Sequence, residues 1–217
     1  MKENSRIEAF SDGVFAIAIT LLVLELKVPP AASVHSVSDL WNGLIHLWPS
    51  YFAFTLSFGI LLVSWVNHHY LFNILDKSSR PFLYANGFLL FTITFMPFPT
   101  ALLAQYISTD YAKPAIAFYC FGGVINSIGW NLLLHTLYKP QKLIRTEVSI
   151  NLVNKIKRST KYGFVIYSIA TIISFWFPII ALTLNLLLWI VWISLSITTK
   201  ESWILNYFKS NYYESVK

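Results

Sequence analysis

The feature that most constrains this chain is its series of long apolar runs, separated by polar or proline-containing segments. The first run extends from Ile7 to Val28 and stops at Pro29 and Pro30. Only 12% of the 217 residues are charged, about half the share of roughly 25% that soluble domains carry. A soluble fold of this size cannot bury so many apolar residues, whereas a bilayer accepts runs of about 20 of them. We therefore predict an all-α integral membrane protein.

Six helices are predicted to cross the bilayer and to form one domain over residues 1–217. They cover approximately residues 7–28, 49–72, 81–105, 111–137, 161–178 and 180–198. Pro97 and Pro99 are expected to bend the third helix, and Pro178 to split the last apolar block into two helices. Charged and polar residues continue to Asp12, and no small-residue cleavage site follows the first run. We therefore expect that run to be retained rather than removed as a signal peptide.

The basic residues are distributed unevenly among the connecting segments. Lys27 and Lys113 lie on one side of the six-helix layout, and the other 14 of the 16 lysines and arginines lie on the opposite side. Because cytoplasmic segments are enriched in lysine and arginine, both termini are predicted to be cytoplasmic. The longest polar loop, residues 138–161, is expected to form part of an amphipathic surface helix. Topology thus explains the net charge of +6, and the expected partner of that charge is anionic lipid, not nucleic acid.

Sequence motifs of enzymes and of conventional potassium pores are missing. The chain has no phosphate-binding loop, nucleophile elbow or zinc-protease helix, and no TVGYG-like filter. We therefore expect neither catalysis nor a pore loop. His68, His69 and His135 are predicted near the inner face, but adjacent helical residues point about 100° apart and seldom bind one ion. With Cys120 as the only cysteine, neither a metal site nor a cofactor is expected.

The first helix has one purely apolar face. At about 100° per residue, four large side chains fall on this face, with Gly13 and Thr20 at its edge: Phe10, Ile17, Leu21 and Leu24. Asp12 lies roughly 140° around the helix from Ile17. An ionisable group at this depth needs a partner or water, so Asp12 is expected to face another helix.

The string Arg6-x-x-x-Phe10-Ser11-Asp12 resembles the R-x-x-x-F-S-D signature of the transmembrane protein 175 family of potassium channels. The resemblance extends to the sequence WVNHHYLF at the end of the second helix, to the region of Asn86 and to the sequence MPFPT in the third helix. It clearly covers the first half of the chain, and the six-helix layout fits the remainder.

The resemblance implies a pore without a pore loop. In that family, first helices from symmetry-related repeats line the conduction path, and single six-helix chains assemble as homotetramers. By resemblance, Ile17 forms the narrowest apolar ring, Leu21 and Leu24 form further apolar layers, and Thr20 supplies an ion-coordinating hydroxyl. Periodicity alone favours a simpler interpretation, in which these residues only pack against other helices.

The signature residues are expected to hold helices together rather than to conduct. Arg6, Phe10, Ser11 and Asp12 would belong to this packing network. Two further candidates, His68 and His69, lie at the corresponding end of the second helix, and either one is the expected partner of the signature residues.

The sequence thus favours a potassium-selective channel that leaks other monovalent cations. It would act as a multi-pass protein of the cell membrane, with potassium ions, lipids and further copies of itself as partners. A secondary transporter of a monovalent cation or proton is the alternative. That alternative would require internal repeats and ionisable residues at mid-membrane, and the sequence offers neither. A membrane-embedded enzyme ranks third, because only the histidines could supply its chemistry.

Overall fold

The computed structural model describes residues 2–137, 143–146 and 148–194, and helices make up most of these residues. The only β pairing among these residues is an isolated bridge between Leu75 and Ile144. The helices are as follows: α1 Lys2–Leu21, α2 Val37–His46, α3 Trp48–Ile74, α4 Arg80–Phe95, α5 Pro97–Tyr106, α6 Ala112–His135, α7 Ile150–Ile173 and α8 Pro178–Ser194.

Prolines and serines set several helix boundaries. Pro49 and Pro81 lie in the first turns of α3 and α4, where a missing N–H costs nothing. The Ser36 and Ser79 hydroxyls accept hydrogen bonds from the backbone amides of Asp39 and Phe82, which caps α2 and α4.

The helix predicted over residues 81–105 is interrupted at Met96, which separates α4 from α5. Pro97 and Pro99 follow directly and cannot donate to the preceding turn, which accounts for the interruption; the bend itself stays a prediction.

Four segments are long and apolar enough to cross a membrane: Asn4–Glu25, Trp48–Ile74, Arg80–Tyr106 and Ala112–His135. They correspond to the first four predicted spans. The first segment ends in a short 3₁₀ helix, Leu22–Glu25, instead of continuing as an α-helix to residue 28. Such 3₁₀ turns are common at the ends of α-helices. The hydropathy pattern does not show where the α-helix changes to the 3₁₀ turn.

The third quarter of the chain differs most from the predicted bounds. Helix α7 begins at Ile150, eleven residues before the predicted start at 161, and ends at Ile173. The basic segment therefore forms the first turns of α7 itself, without a break before the apolar part. Helix α8 begins at Pro178, as the predicted split requires, and residues 195–198 of the predicted sixth helix lie outside the described residues.

Tryptophans of α8 pack into glycine notches on two neighbouring helices. A Cβ atom on Gly59 of α3 would lie 2.5 Å from the ring of Trp189, and one on Gly163 of α7 would lie 2.5 Å from Trp192. Only a residue without a side chain allows this approach. Helix α8 is thereby held against both α3 and α7.

Hydrogen bonds join two connecting segments and the start of α1 at one end of the bundle. The Asp76 amide donates to the Leu143 carbonyl over 2.8 Å, and the Arg145 amide donates to the Ile74 carbonyl over 3.0 Å. Asn4 Nδ2 donates to the Asp76 carbonyl over 2.9 Å. The start of α1, the α3–α4 loop and the α6–α7 loop therefore lie together, at the end that carries the predicted cytoplasmic loops.

Candidate ion pathway

Helix α1 is buried on one side only. Ser11, Phe15, Ala18 and Leu22 are fully buried against the rest of the chain. The opposite face is open, because Phe10 is 66% exposed, Ile17 60%, Leu21 42% and Leu24 61%. Gly13 and Thr20 are exposed along the same face. The four apolar residues that periodicity groups together thus share a face that no described residue of the chain covers.

Thr20 brings a polar atom to this open face. Its hydroxyl donates to the backbone carbonyls of Ala16 and Ile17, each over 2.9 Å. Because the hydroxyl hydrogen is turned back to the helix, the oxygen presents its lone pairs outward. A lone pair, and not a hydrogen, is what a cation requires as a ligand.

A chain of three buried polar side chains joins α1, α4 and α3. Asn86 Nδ2 donates to Ser11 Oγ over 3.0 Å, and Ser11 Oγ in turn donates to the Ile7 carbonyl over 2.9 Å. His68 Nε2 lies 2.8 Å from Asn86 Oδ1. Since an amide oxygen only accepts hydrogen bonds, His68 Nε2 must carry the hydrogen. Asn86 is therefore the central member of this chain.

A second pair of contacts joins α1 to α3. Trp65 Nε1 donates to Asp12 Oδ1 over 2.9 Å, and His69 Nδ1 lies 2.9 Å from Glu8 Oε1. Glu8 and Asp12 are four residues apart on α1, and Trp65 and His69 are four apart on α3, so each pair lies on one helix face. Helices α1 and α3 run antiparallel, so the two contacts lie one helical turn apart along their interface.

Of the two histidines expected to partner the signature, His68 reaches Ser11 through Asn86, whereas the direct partner of Asp12 is Trp65. His69 lies one turn closer to the start of α1, level with Glu8, whereas Trp65 is level with Asp12. His68 is rotated by about 100° from His69 and faces α4, where it meets Asn86.

Arg6 and Phe10 lie on the exposed side of α1 and line an open groove against α4. The other side of the groove includes Leu83, Gly87 and Leu90. A Cβ atom on Gly87 would have no atom within 4 Å. Asn86, the central member of the buried polar chain, also lines this groove, so the two signature residues lie beside that chain.

Sequence reasoning missed Glu8 and Trp65 as members of these contacts and did not assign a role to Asn86. One signal was available: Asn86 is an isolated amide within the apolar helix α4, and a buried amide needs hydrogen-bond partners. Trp65 gave no such signal, because an indole is ordinary in a membrane helix.

Comparison with known proteins identifies the family. The chain is 44% identical over 173 residues to a potassium channel of Chamaesiphon minutus, which covers 80% of this chain and 85% of the relative. The chain belongs to the TMEM175 family. The family model described as "Endosomal/lysosomal potassium channel TMEM175" matches residues 6–97, which begin at the signature arginine and extend through α4.

A solved TMEM175 structure has the same fold. The crystal structure of a lysosomal potassium-selective channel TMEM175 homolog from Chamaesiphon minutus superposes with a TM-score of 0.80 at 40% identity, over 90% of this chain and 99% of that chain. The endosomal/lysosomal proton channel TMEM175 of Gallus gallus is 35% identical over 82 residues, or 36% of this chain and 16% of the chicken protein. TMEM175 is a family of ion channels, not of enzymes, and the resemblance carried by the signature is confirmed.

Proposed function

We propose that this chain forms a potassium-selective channel of the cell membrane, leaky to other monovalent cations. In this proposal, α1 helices from four copies surround one axial pore. The one-sided burial of α1 carries the argument. Ser11, Phe15, Ala18 and Leu22 pack inward, while the face of Ile17 has no cover from the described part of its own chain.

Exposure alone does not separate a pore face from a lipid face, because both are uncovered in a single chain. Two observations favour the pore. The face includes Thr20, whose hydroxyl hydrogen is turned back to the helix, so its exposed oxygen is available as a ligand for a cation. The relative from Chamaesiphon minutus, which is similar over 80% of this chain, is named a potassium channel, and this supports an ion path along the face.

The proposed selectivity comes from dehydration. A ring of Ile17 side chains would resist wetting, so a cation passing it would shed water or force the ring apart. Sodium holds its water more strongly than potassium and would face the higher barrier. Leu21 and Leu24 would extend the apolar passage, and Thr20 would replace part of the lost hydration. Such a filter discriminates less than a ladder of backbone carbonyls.

The buried polar contacts would hold α1 in register with α3 and α4. Ser11 and Asp12 would fix the helix through Asn86 and Trp65, so that the pore face keeps its orientation. The proposed architecture is a single domain of six transmembrane helices, in which α7 and α8 supply the fifth and sixth spans and both termini are cytoplasmic.

Current recordings from purified protein in a planar bilayer test the channel proposal. Unitary current steps, with a reversal potential that favours potassium over sodium, are the expected result. Ion exchange without unitary steps would favour a secondary transporter instead. The chicken relative is named a proton channel, so proton conduction is the second candidate. A reversal potential that follows a pH gradient rather than the potassium gradient would favour it.

A further inference from the structure

A cavity of about 110 Å³ lies between α3, α6, α7 and α8, away from the open face of α1. It follows the helix axes for a considerable distance, because its α3 lining extends from Ile60 to Leu71, which corresponds to about 16 Å at 1.5 Å per residue. Most of its lining is aliphatic or aromatic. The cavity is therefore a narrow apolar slot and not a rounded polar pocket.

The two ends of the slot differ chemically. At the end near the α6–α7 loop it is lined by Asn67, Tyr70, Lys155 and Ser159. Toward the opposite end, Tyr167, Trp189 and Trp192 line it. Lys155 is exposed and lies in the second turn of α7. The one lysine thus lies at this end, whereas uncharged hydrogen-bonding side chains such as Ser64 and Asn126 line the slot further along. At the opposite end the buried Trp189 Nε1 has no hydrogen-bond partner among the described residues.

Tyr70 adds an independent observation at the same end. Its hydroxyl oxygen is buried and has no hydrogen-bond partner among the described residues. A buried hydroxyl without a partner costs about 1–3 kcal/mol. An acceptor at this end of the slot would remove that cost.

We propose that the slot binds one acyl chain of an anionic phospholipid, whose phosphate contacts Lys155 and the Tyr70 hydroxyl. The length and apolar lining of the slot match an extended hydrocarbon chain. The lysine and the unpartnered donor match a phosphate that sits where the chain leaves the slot. Basic pockets between transmembrane helices bind acidic headgroups in this way.

Competition between two lipids on the purified full chain tests this proposal. Delipidated protein in a nonionic detergent receives equimolar dioleoyl phosphatidylglycerol and dioleoyl phosphatidylcholine, and native mass spectrometry counts each lipid retained per chain. The wild type is expected to retain phosphatidylglycerol in preference. Lys155→Gln should lower that retention about fivefold, the effect of one lysine near an anionic headgroup. Ser159→Phe, which fills the slot, should abolish it.

Arg158→Gln is the matched control, because Arg158 is an exposed cation on the same helix that does not line the slot. It should retain phosphatidylglycerol as the wild type does. Equal retention of the two lipids by the wild type would overturn the proposal. An equal loss of phosphatidylglycerol in Arg158→Gln and Lys155→Gln would also overturn it, because that result indicates that the lipid is attracted to the basic surface and not to the slot. So would full retention by a Ser159→Phe variant that elutes as the wild type does in gel filtration. The readout is binding, so it is independent of whether the chain conducts.

Discussion

Trp65 Nε1 donates a hydrogen bond of 2.9 Å to Asp12 Oδ1 and so fixes the depth of α1 against α3. The carboxyl group of Asp12 sits within an apolar helix, where an ionisable group needs a partner. The indole supplies that partner without adding a second charge. The contact therefore links the signature to helix position and not directly to the ion path.

Removing this donor should weaken the fold more than it changes permeation. Trp65→Phe keeps the aromatic ring and deletes one hydrogen bond to a carboxyl group, which is expected to cost about 1.5–3 kcal/mol. Asp12→Ala should likewise reduce the yield of assembled protein more than it alters ion preference. Unfolding in detergent and the potassium-to-sodium permeability ratio measure the two effects. Trp176→Phe, at an exposed tryptophan, is the control. Normal assembly of Asp12→Ala with a changed ratio would make Asp12 a pore residue.

Substituting Asn86 should destabilise the protein more than substituting either residue that it joins. Asn86→Ala removes the acceptor of His68 and the donor to Ser11 together. Each buried group that loses its partner costs about 1–3 kcal/mol. The melting temperature in detergent should fall further for Asn86→Ala than for Ser11→Ala, which leaves the contact with His68 in place. Equal melting temperatures for the two variants would remove Asn86 from its central position.

These contacts show where sequence reasoning succeeds and where it stops. Helical periodicity grouped Ile17, Leu21 and Leu24 on one face and turned Asp12 away from it, because both follow from 100° per residue. The partner of Asp12 depended instead on the offset between α1 and α3. That offset is set by packing across the whole interface, so His69 was an equally reasonable expectation. A shift of one helical turn decides between the histidine and Trp65.

Some helix boundaries can likewise be predicted from the sequence, and others cannot. Proline positions predicted a disturbance of the third helix near Pro97 and a split of the last apolar block near Pro178, because a missing N–H acts locally. The structure places the interruption at Met96 and the start of α8 at Pro178, two residues before the predicted 180. A surface helix was predicted within residues 138–161, but its unbroken continuation from Ile150 into the apolar part of α7 was not, since residues 150–161 are basic and resemble a separate surface segment. Lys157 Nζ donates to the Leu137 carbonyl over 2.9 Å, a tertiary contact that supports this part of the helix and leaves no trace in hydropathy.

The glycine notch at Gly59 should not accept even a methyl group. Gly59→Ala would place its Cβ 2.5 Å from three ring atoms of Trp189, and overpacking of this kind typically costs about 1–3 kcal/mol. The unfolding midpoint in detergent should fall. The same change at Gly87, where no atom lies within 4 Å, serves as the control and should leave the midpoint unchanged or higher. A Gly59→Ala protein as stable as Gly87→Ala would mean that α8 is not held by this notch.

Membrane orientation can be tested on an almost cysteine-free background, since the native Cys120 is buried. Lys77 lies in the α3–α4 loop and Asp110 precedes α6, at opposite ends of the bundle, and both are exposed. A maleimide that cannot cross the membrane should label Asp110→Cys in intact cells and fail to label Lys77→Cys until the cells are opened. The reverse pattern would invert the topology derived from the basic residues.

Ile17 is expected to form the tightest ring of the pore. Its side chain lies at the middle of the open face of α1, between Gly13 and Leu21, and is 60% exposed in the single chain. Replacing Ile17 by Asn should ease wetting of the constriction, raise conductance and weaken discrimination between potassium and sodium. The measurement is the reversal potential under bi-ionic potassium and sodium.

Ile172→Asn is the matched control for this change. Ile172 is 59% exposed and lies on α7, so the substitution introduces the same polar group at an equally open position away from α1. If Ile17 merely faced lipid, both variants would pay a similar cost for a polar group in an apolar medium, and neither would shift the reversal potential. A shift confined to Ile17→Asn identifies the constriction. An unchanged reversal potential in a well-assembled Ile17→Asn channel would remove Ile17 from the filter and turn attention to Thr20 and Leu21, which lie on the next turn of the same face.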